Sequence, residues 1–293
     1  MSGNFDCAIV GAGPAGLAAA LYLERFHRRV VLLDDGRSRM RWIGRSRNLP
    51  GYPHGISGPA LLDRLRRQLR RYGTERRNAA VDAIDGQAGA FLLRVEGGER
   101  IAASRVILAT GTQDTLPRIR GLEEALQRGL LRICPVCDGY EATDRRLAVL
   151  GPVGEASRHA CFLRTFSDRV AVLPTDGGDA GPDATGILPR PAWLRARSRS
   201  IEVAFDDRAS VRFDALYLSL GAKPRASLAA SLGAPLAEDG TLRVNAHQQT
   251  GVDGLYAIGD VAHDLNQVAV ALGHAAIAAT AVHNALPEHP RRA

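Results

Sequence analysis

The amino-acid sequence predicts an α/β protein with two three-layer units, each built on a parallel sheet. A strand, a glycine loop and a helix open the chain over residues 5–26, and an imperfect copy of this pattern returns over residues 147–173. The length of 293 residues is enough for two domains that each bury a core of their own. The repeat and the length together favour two sheets over one.

The first glycine loop has the spacing of a dinucleotide-binding turn. The apolar run FDCAIV predicts a buried strand, and the loop after it reads GAGPAG, with Gly11, Gly13, Pro14, Ala15 and Gly16. Glycines at this spacing let the backbone turn tightly, approach a pyrophosphate and pack the helix against the strand. The loop therefore predicts a phosphate-binding helix N-terminus.

An acidic pair follows the second apolar run of this unit. VVLL at 30–33 predicts a strand, and Asp34 and Asp35 come directly after it. Asp34 stands 18 residues after Gly16, close to the spacing of an acid that holds a ribose hydroxyl. Both halves of the dinucleotide fingerprint are therefore present.

The rest of the chain continues the alternation of strands and helices. Leu61, Leu65 and Leu69 predict an amphipathic helix over 60–72. Its five arginines form either a solvated face or a surface that steers an acidic partner. The other predicted elements are strands at 91–95 and 105–110, the second ending in Ala109, Thr110 and Gly111, a strand at 147–150, a loop at 174–191, a strand at 216–220, where a third region begins, and a helix at 268–286 after Gly259 and Asp260.

Composition argues against several classes of protein. The net charge is +7, but 37 of the 38 basic residues are arginines dispersed along the chain, which disfavours a nucleic-acid binder. No apolar run approaches the roughly 20 residues that span a bilayer. The N-terminal segment lacks the basic region and cleavage site of a secretory signal. We therefore expect a cytoplasmic protein that binds neither nucleic acid nor membrane.

Two of the four cysteines, Cys134 and Cys137, stand at C-x-x-C spacing. Zinc would need two further ligands, and no second C-x-x-C or H-x-x-x-H is present, so we expect no metal site. Two buried free thiols and a redox-active pair are the other interpretations, and Pro135 between the cysteines favours the redox pair. Cys7 and Cys161 are expected to be small core residues.

Five motifs occur in the order that they have in the low-molecular-weight thioredoxin reductase family. They are GAGPAG at 11–16, NLPGYP at 48–53, ATG at 109–111, CPVCDGY at 134–140 and GLYAIGDVA at 254–262. The chain resembles that family over nearly its whole length. The resemblance implies two Rossmann-like domains: a discontinuous FAD-binding domain over 1–116 and 217–293, and an inserted, shortened nucleotide-fold domain over 117–216 that carries the redox-active pair.

The resemblance also implies roles for the site residues. Cys137 would lie against the flavin and exchange electrons with it, and Cys134 would react with the external substrate. Asp138 would act as acid or base for a thiol, with a helix cap as the alternative. Asp260 would lie near the ribityl and pyrophosphate groups, with a helix N-cap as the alternative. The implied FAD-binding residues are Gly11, Gly13, Pro14, Ala15, Gly16, Asp34, Asp35, Asn48, Ala109, Thr110, Gly111, Gly259, Asp260, Asn266, Gln267 and Val268.

The sequence departs from the family pattern at the second glycine loop. Val153 replaces the glycine that lets a phosphate approach, and Pro152 removes an amide donor. Asp176 stands where the family has a basic cluster for the 2′-phosphate of NADPH, which leaves NADH open. We therefore expect NADPH, and nicotinamides in general, to be poor cofactors.

The last helix departs from the pattern at two positions. Asn266 stands where the family commonly has arginine, next to the retained Gln267, and the helix amides are expected to stabilise negative charge at the flavin. His274 replaces a small residue. It is either a base that reaches the flavin or the dithiol, or a histidine packed within the helix.

The sequence predicts an FAD-dependent thiol/disulfide oxidoreductase, expected as a homodimer. Its substrate would be a thioredoxin-like protein or a small dithiol or disulfide. Three alternatives differ in the electron donor or acceptor: an NAD(P)H-dependent thioredoxin reductase, an oxygen-using dithiol oxidase, and a reductase fed by ferredoxin or flavodoxin. A non-catalytic FAD-binding sensor is disfavoured by the intact CPVCDG motif.

Overall fold

The computed structural model describes residues 4–176, 186–206 and 208–288, and the chain divides into two compact units. The first unit comprises Met1–Ile43, Ser57–Gln113 and Lys223–Ala293, and the second comprises Gly44–Ile56 and Asp114–Ala222. The sequence instead predicts domain boundaries after residues 116 and 216. Those domain boundaries stay a prediction.

The described residues form sixteen strands and seven α-helices. The strands are β1 (Phe5–Val10), β2 (Val30–Leu33), β3 (Glu75–Arg77), β4 (Val81–Asp85), β5 (Phe91–Val95), β6 (Arg100–Leu108), β7 (Thr112–Asp114), β8 (Leu131–Arg132), β9 (Leu147–Gly151), β10 (Val170–Pro174), β11 (Trp193–Ala196), β12 (Ile201–Ala204), β13 (Val211–Phe213), β14 (Ala215–Leu218), β15 (Ala222–Pro224) and β16 (Leu255–Ala257). The helices are α1 (Pro14–Arg25), α2 (Gly58–Leu69), α3 (Leu122–Gln127), α4 (Pro135–Asp138), α5 (Val153–Leu163), α6 (Ser227–Ala230) and α7 (Val268–Asn284).

The first unit is built on a parallel sheet in the order β3-β2-β1-β6-β16. The beginning of β6 also pairs antiparallel with β5, which pairs with β4. Because side chains alternate along a strand, Cys7 and Ile9 pack with α1, α2 and α7, whereas Ala8 and Val10 pack with β4 and β5. Two cores therefore lie on the two faces of one sheet.

The second unit is built on a four-stranded parallel sheet in the order β10-β9-β14-β8. One face packs against the antiparallel sheet β11-β12-β13 and the other against α5. Leu150 faces the antiparallel sheet, and Val149 faces Ala156, Ala160 and Leu163 of α5. Both units are thus layered around a parallel sheet, and the predicted α/β class is confirmed.

The predicted helix over 60–72 begins slightly earlier than expected. Helix α2 starts at Gly58 because Ser57 caps it: its Oγ accepts a hydrogen bond from the amide of Ala60 at 3.3 Å. A short 3₁₀ turn continues the helix to Tyr72. Among its arginines, Arg67 pairs with Asp63 at 2.8 Å.

Several other predictions can be compared with the structure. The expectation that Cys161 is a core residue is wrong, because it is exposed on α5, whereas Cys7 is buried. The predicted strand at 216–220 is β14, and it pairs with β9 in the second unit. The predicted loop at 174–191 has residues 177–185 outside the described residues. Over the described parts of the chain, no helix has the length and apolar character that a membrane span needs.

Candidate functional site

Three predicted cofactor-binding segments follow neighbouring strands of the first unit's parallel sheet. The loop 11–16 follows β1, Ala109–Gly111 follows β6, and Gly259–Asp260 follows β16. The register pairs the last residue of β6 with the last residues of β1 and of β16. The structure therefore brings these segments together at the carboxyl edge of the sheet, where folds of this class bind ligands.

The glycines of the loop meet different constraints. Gly11 has a φ of +104°, and a Cβ there would overlap the carbonyl oxygen of Ala109. A Cβ on Gly16 would overlap the carbonyl oxygen of Gly11. A Cβ on Gly13 would meet only the Oγ of Ser38, at 3.5 Å. Packing therefore requires Gly11 and Gly16, whereas the open side of Gly13 lets a ligand approach the backbone.

The two carboxylates after β2 have different partners. Oδ1 of Asp34 accepts a hydrogen bond from the amide of Ala12 at 3.0 Å. Asp35 accepts hydrogen bonds from Arg37, from the amide at 3.0 Å and from Nε at 2.6 Å. Burial acts to raise the pKa of Asp35, but the bonds from Arg37 outweigh it and lower that pKa. Asp34 is therefore tied to the glycine loop, and Asp35 is held in an ion pair.

The turn after β16 lies against the N-terminal parts of α1 and α7. Gly259 has a φ of +70°, and a Cβ there would lie 3.2 Å from the Cβ of Ala15 and 3.6 Å from that of Ala271. Oδ2 of Asp260 lies 3.7 Å from Nη1 of Arg39. Asp260 is inside the 3₁₀ turn and not at its N-cap, so the alternative of a helix N-cap does not hold.

His274 is held by the same turn. Its Nδ1 accepts a hydrogen bond from the amide of Gly259 at 3.3 Å, and its ring lies 5.8 Å from that of His263. Burial lowers the pKa of His274, and His263 lowers it further. A neutral His274 with Nδ1 as acceptor carries its proton on Nε2. A role for His274 as a base stays a prediction.

The N-terminus of α7 contains a buried acceptor. The helix begins at Val268 with Gln267 at its N-cap. Oδ1 of Asn266 is buried and has no hydrogen-bond partner among the described residues. A buried polar atom without a partner costs stability, so a bound group with a donor would match it. The amides and dipole of this helix end also favour negative charge.

The first unit fits an FAD. The open backbone at Gly13 and the N-terminus of α1 suit a pyrophosphate, and Asp34 suits a ribose hydroxyl. The orphan acceptor of Asn266 suits a donor on the flavin. Which residues contact the cofactor stays a prediction.

Three other predicted cofactor-binding residues have structural partners. Oγ1 of Thr110 donates a hydrogen bond to the carbonyl of Arg225 at 2.8 Å, and the carbonyl of Gly111 accepts one from the amide of Arg225 at 2.9 Å. Asn48 belongs to the second unit, where its Nδ2 donates to the carbonyl of Val136 at 3.3 Å. Its segment therefore packs beside the C-x-x-C helix.

Cys134 and Cys137 form a disulfide at the carboxyl edge of the second unit's sheet. Their Cα atoms are 5.3 Å apart. Cys134 follows β8 closely and is the N-cap of α4, which contains Cys137. Both cysteines are partly exposed. No group of three or more His, Cys, Asp or Glu residues suited to a metal occurs within the described ranges.

Asp138 contacts side chains from two strands. The hydroxyl of Tyr217 donates a hydrogen bond to Oδ1 of Asp138 at 2.8 Å and accepts one from Nη1 of Arg132 at 3.0 Å. Nε of Arg132 lies 3.6 Å from Oδ2 of Asp138. Burial raises the pKa of Asp138, although Arg132 and Tyr217 act in the opposite direction. The carboxyl is therefore bound to side chains, which is not the arrangement of a helix cap.

The second glycine loop holds an acidic side chain. Oδ1 of Asp176 accepts a hydrogen bond at 3.0 Å from the amide of Val153, the first residue of α5. The side chain of Val153 is buried, at 3% exposure. In the first unit Asp34 bonds to Ala12, one position earlier in the loop. That position is Pro152 in the second unit, and proline has no N–H.

Sequence reasoning missed Arg39, Arg132 and Tyr217. Arg132 stands two residues before Cys134, but its partner Tyr217 lies 85 residues further along the chain. The register of β8 and β14 places the two directly opposite each other. Only a prediction of that strand pairing could have found the contact.

Comparison with known proteins agrees with this geometry. The family model described as pyridine nucleotide-disulphide oxidoreductase matches residues 5–175 and 191–278. The thioredoxin reductase of Aquifex aeolicus (strain VF5) is 28% identical over 95% of this chain and 92% of its own length. The bifunctional thioredoxin reductase/thioredoxin of Mycobacterium leprae (strain TN) is 28% identical over 96% of this chain, which spans only 66% of that protein.

Solved structures share the fold over the same extent. HlmI superposes with a TM-score of 0.87 at 31% identity, covering 97% of this chain and 93% of its own. The thioredoxin reductase of Streptococcus pyogenes MGAS5005 has a TM-score of 0.87 at 25% identity, covering 97% and 98%. The two-domain Rossmann-like fold is thereby confirmed. The chain belongs to the pyridine nucleotide-disulphide oxidoreductase family and is an FAD-dependent disulfide oxidoreductase of the thioredoxin reductase-like type.

Proposed function

We propose that this protein transfers electron pairs between its flavin and an external dithiol or disulfide through Cys134 and Cys137, without efficient use of NADPH or NADH. The observation that carries the proposal is the hydrogen bond from the amide of Val153 to the carboxylate of Asp176. It engages an amide at the N-terminus of α5, where a nucleotide pyrophosphate would have to bind.

The residues of the second loop do not fit a pyridine nucleotide. Asp176 engages the amide of Val153, which corresponds to Gly13, whereas Asp34 in the first unit engages the amide one position earlier, at Ala12. The buried side chain of Val153 stands where bare backbone is needed, and Pro152 supplies no donor. The sequence also has no lysine or arginine between Val170 and Pro189 to bind a 2′-phosphate.

The cysteine pair can oxidise a dithiol by two exchanges. A substrate thiolate attacks Sγ of Cys134, which forms a mixed disulfide and releases Cys137 as a thiolate. The second substrate thiolate attacks the substrate sulfur of the mixed disulfide, which releases the substrate disulfide and the thiolate of Cys134. Two electrons then reside in the enzyme dithiol. FAD, when bound, supplies a two-electron acceptor or donor for this pair.

Asp138 is proposed to handle the protons of these exchanges. As a carboxylate it takes the proton from the attacking thiol, and as the acid it returns that proton to the thiolate that leaves. Its raised pKa, due to burial, lies closer to that of a thiol than an ordinary carboxyl's does. The smaller difference between the two pKa values lowers the free-energy cost of transferring the proton from the thiol to the carboxylate.

The relatives named as thioredoxin reductases support a thioredoxin-like protein as the partner. The partial exposure of both cysteines also suits a small dithiol. Molecular oxygen, or ferredoxin or flavodoxin, would complete the electron route without a nicotinamide. The family resemblance implies a homodimer, and a cytoplasmic location stays an expectation.

Anaerobic mixing of the oxidised holoenzyme tests the proposal. Reduced thioredoxin or dithiothreitol is expected to bleach the flavin absorbance, and NADPH or NADH is expected to leave it nearly unchanged. Admitting oxygen, ferredoxin or flavodoxin afterwards identifies the acceptor. Flavin reduction by a nicotinamide but by no dithiol would contradict the proposal.

Gly13→Val is predicted to lower the affinity for FAD by more than about tenfold, or about 1.4 kcal/mol. The added side chain would block the approach of a pyrophosphate to the loop backbone. It meets no protein atom closer than 3.5 Å at its Cβ, so the fold should survive. Flavin content after purification and reconstitution titrations measure the effect.

Gly154→Val is the matched control. A Cβ at Gly154 has no atom within 4 Å, and the residue lies on α5 in the second unit. FAD binding should be unchanged in this variant. Equal FAD affinity in the two valine variants would show that Gly13 does not mark the pyrophosphate site.

A further inference from the structure

Three side chains from separate elements of the second unit form one polar cluster beside the disulfide, in which Tyr217 is buried and Arg132 and Asp138 are partly exposed. Tyr217 is fully buried on β14, Arg132 ends β8, and Asp138 ends α4. The hydroxyl of Tyr217 joins the other two: it accepts from Arg132 at 3.0 Å and donates to Asp138 at 2.8 Å. Arg132 also donates from Nη1 to the backbone carbonyl of Asp138 at 3.3 Å.

The cluster fixes both oxygens of the carboxyl. Oδ1 faces the hydroxyl of Tyr217, and Oδ2 faces Nε of Arg132 at 3.6 Å. Arg132 and Tyr217 stand opposite each other in the parallel pairing of β8 with β14, so the sheet itself sets their spacing. A carboxyl held by two strand residues has little freedom to rotate.

Four charged or titratable groups influence this carboxyl. Burial raises the pKa of Asp138, and the nearby Glu141 raises it further. Arg132, Tyr217 and Arg47 act in the opposite direction. Arg47 lies on the 44–56 segment and itself approaches Glu141 at 3.8 Å. The net direction is upward, so Tyr217 and Arg132 limit a shift that burial alone would make larger.

We infer that Tyr217 and Arg132 are positioning residues of the thiol–disulfide exchange and act through the carboxyl of Asp138. The inference rests on the proposed function, in which Asp138 takes a proton from the attacking thiol and returns it to the leaving thiolate. Tyr217 and Arg132 orient the carboxyl for both transfers. They also keep it ionised down to a lower pH, so it is ready to act as a base.

Tyr217→Phe keeps the buried ring and removes only the hydroxyl. The carboxylate of Asp138 then loses a hydrogen bond, so its pKa rises and the exchange rate falls off at a higher pH. We expect the acid limb of the pH–rate profile to move upward by about one pH unit. Arg132→Gln should also move it upward, and Arg132→Lys, which keeps the charge, should move it less.

The profile is measured on the holoenzyme, which is mixed with dithiothreitol at each pH. The reaction is stopped after set times, and the free thiols of Cys134 and Cys137 are alkylated and counted. The thiols of dithiothreitol titrate alike in all variants, at a pH above that of a carboxyl, so the acid limb compared between variants is the one at lower pH, which we assign to Asp138. Tyr256→Phe is the matched control, since Tyr256 is also buried but lies on β16 in the first unit. It should leave the profile unchanged. A purely structural effect would lower the amplitude or the melting temperature and leave the midpoint in place.

Asp138→Asn separates this inference from the proposed function. Loss of the acid limb in Asp138→Asn, with a shifted midpoint in Tyr217→Phe or Arg132→Gln, supports the inference. Loss of the limb in Asp138→Asn with unshifted midpoints in both other variants overturns it and leaves the proposed function standing. A limb that persists in Asp138→Asn overturns the role of Asp138 and the inference together. The proposed exchange through Cys134 and Cys137 is then tested separately by the variants Cys134→Ser and Cys137→Ser.

Discussion

Cys134→Ser and Cys137→Ser will each slow the reduction of the flavin by a dithiol at least about 10³-fold. A single remaining thiol can at most form a mixed disulfide with the substrate, so it cannot take up two electrons and release a substrate disulfide. Anaerobic stopped-flow absorbance of the flavin, with reduced thioredoxin or dithiothreitol as the donor, measures the loss.

The two serine variants should also differ from each other. If Cys134 reacts with the substrate, Cys137→Ser leaves it free to be trapped as a mixed disulfide with an oxidised substrate, which mass spectrometry detects. Cys134→Ser should trap much less. Cys161→Ser is the matched control, because Cys161 is a free, exposed thiol on α5, and it should keep the full rate. Full activity in both active-site variants, or a mapped disulfide to Cys7 or Cys161, would contradict the assignment.

The glycine loop of the first unit could be predicted because its determinants are local. Gly11 has a positive φ, and a Cβ on Gly16 would overlap the carbonyl oxygen of Gly11, so the motif itself dictates the turn. Asp34 could be predicted because a strand, a helix and a second strand fix its distance from the loop along the chain. The C-x-x-C pair is also local, since three residues of separation place its sulfurs together.

The contacts of Asp138 could not be predicted because they depend on strand pairing. Arg132 and Tyr217 become neighbours only when β8 and β14 pair in one register. The exposure of Cys161 has a similar cause: helical periodicity does not say which face of α5 the sheet will cover. Asn48 is predicted to bind FAD together with residues of the first unit, yet its segment packs with the second unit.

The structure connects two departures from the family motif, at Asp176 and Val153, that look independent in the sequence. The sequence shows a missing glycine at Val153 and an aspartate in place of basic residues, and these read as two separate losses. The structure joins them, because the aspartate bonds to the amide of that valine. In the proposed function the two changes form one closed loop, in which the protein's own carboxylate takes a position that a phosphate would need.

NADPH and NADH at micromolar concentrations are expected to reduce the flavin at least about a thousandfold more slowly than a dithiol does. The amide lost at Pro152 and the amide engaged at Val153 each cost about 1–3 kcal/mol of phosphate binding for both nucleotides, and for NADPH each arginine missing from the 2′-phosphate site costs a further amount of about 1.5–3 kcal/mol. Because about 1.4 kcal/mol is tenfold in affinity, these losses move a micromolar cofactor to millimolar or beyond. Anaerobic flavin absorbance against nicotinamide concentration measures both the rate and its saturation.

Variants of the second glycine loop test whether Pro152, Val153 and Asp176 prevent a nicotinamide nucleotide from binding to the second unit. Asp176→Asn removes the charge alone and should improve NADH binding modestly. Combining Asp176→Ser with Pro152→Ala and Val153→Gly restores a donor, opens the backbone and removes the carboxylate, so its gain should exceed that of Asp176→Asn. Reduction by a dithiol should be unchanged in both variants, because neither alters Cys134 or Cys137. Rapid, saturable reduction of the unaltered protein by micromolar NADPH or NADH would contradict the closed loop and restore a nicotinamide-dependent thioredoxin reductase.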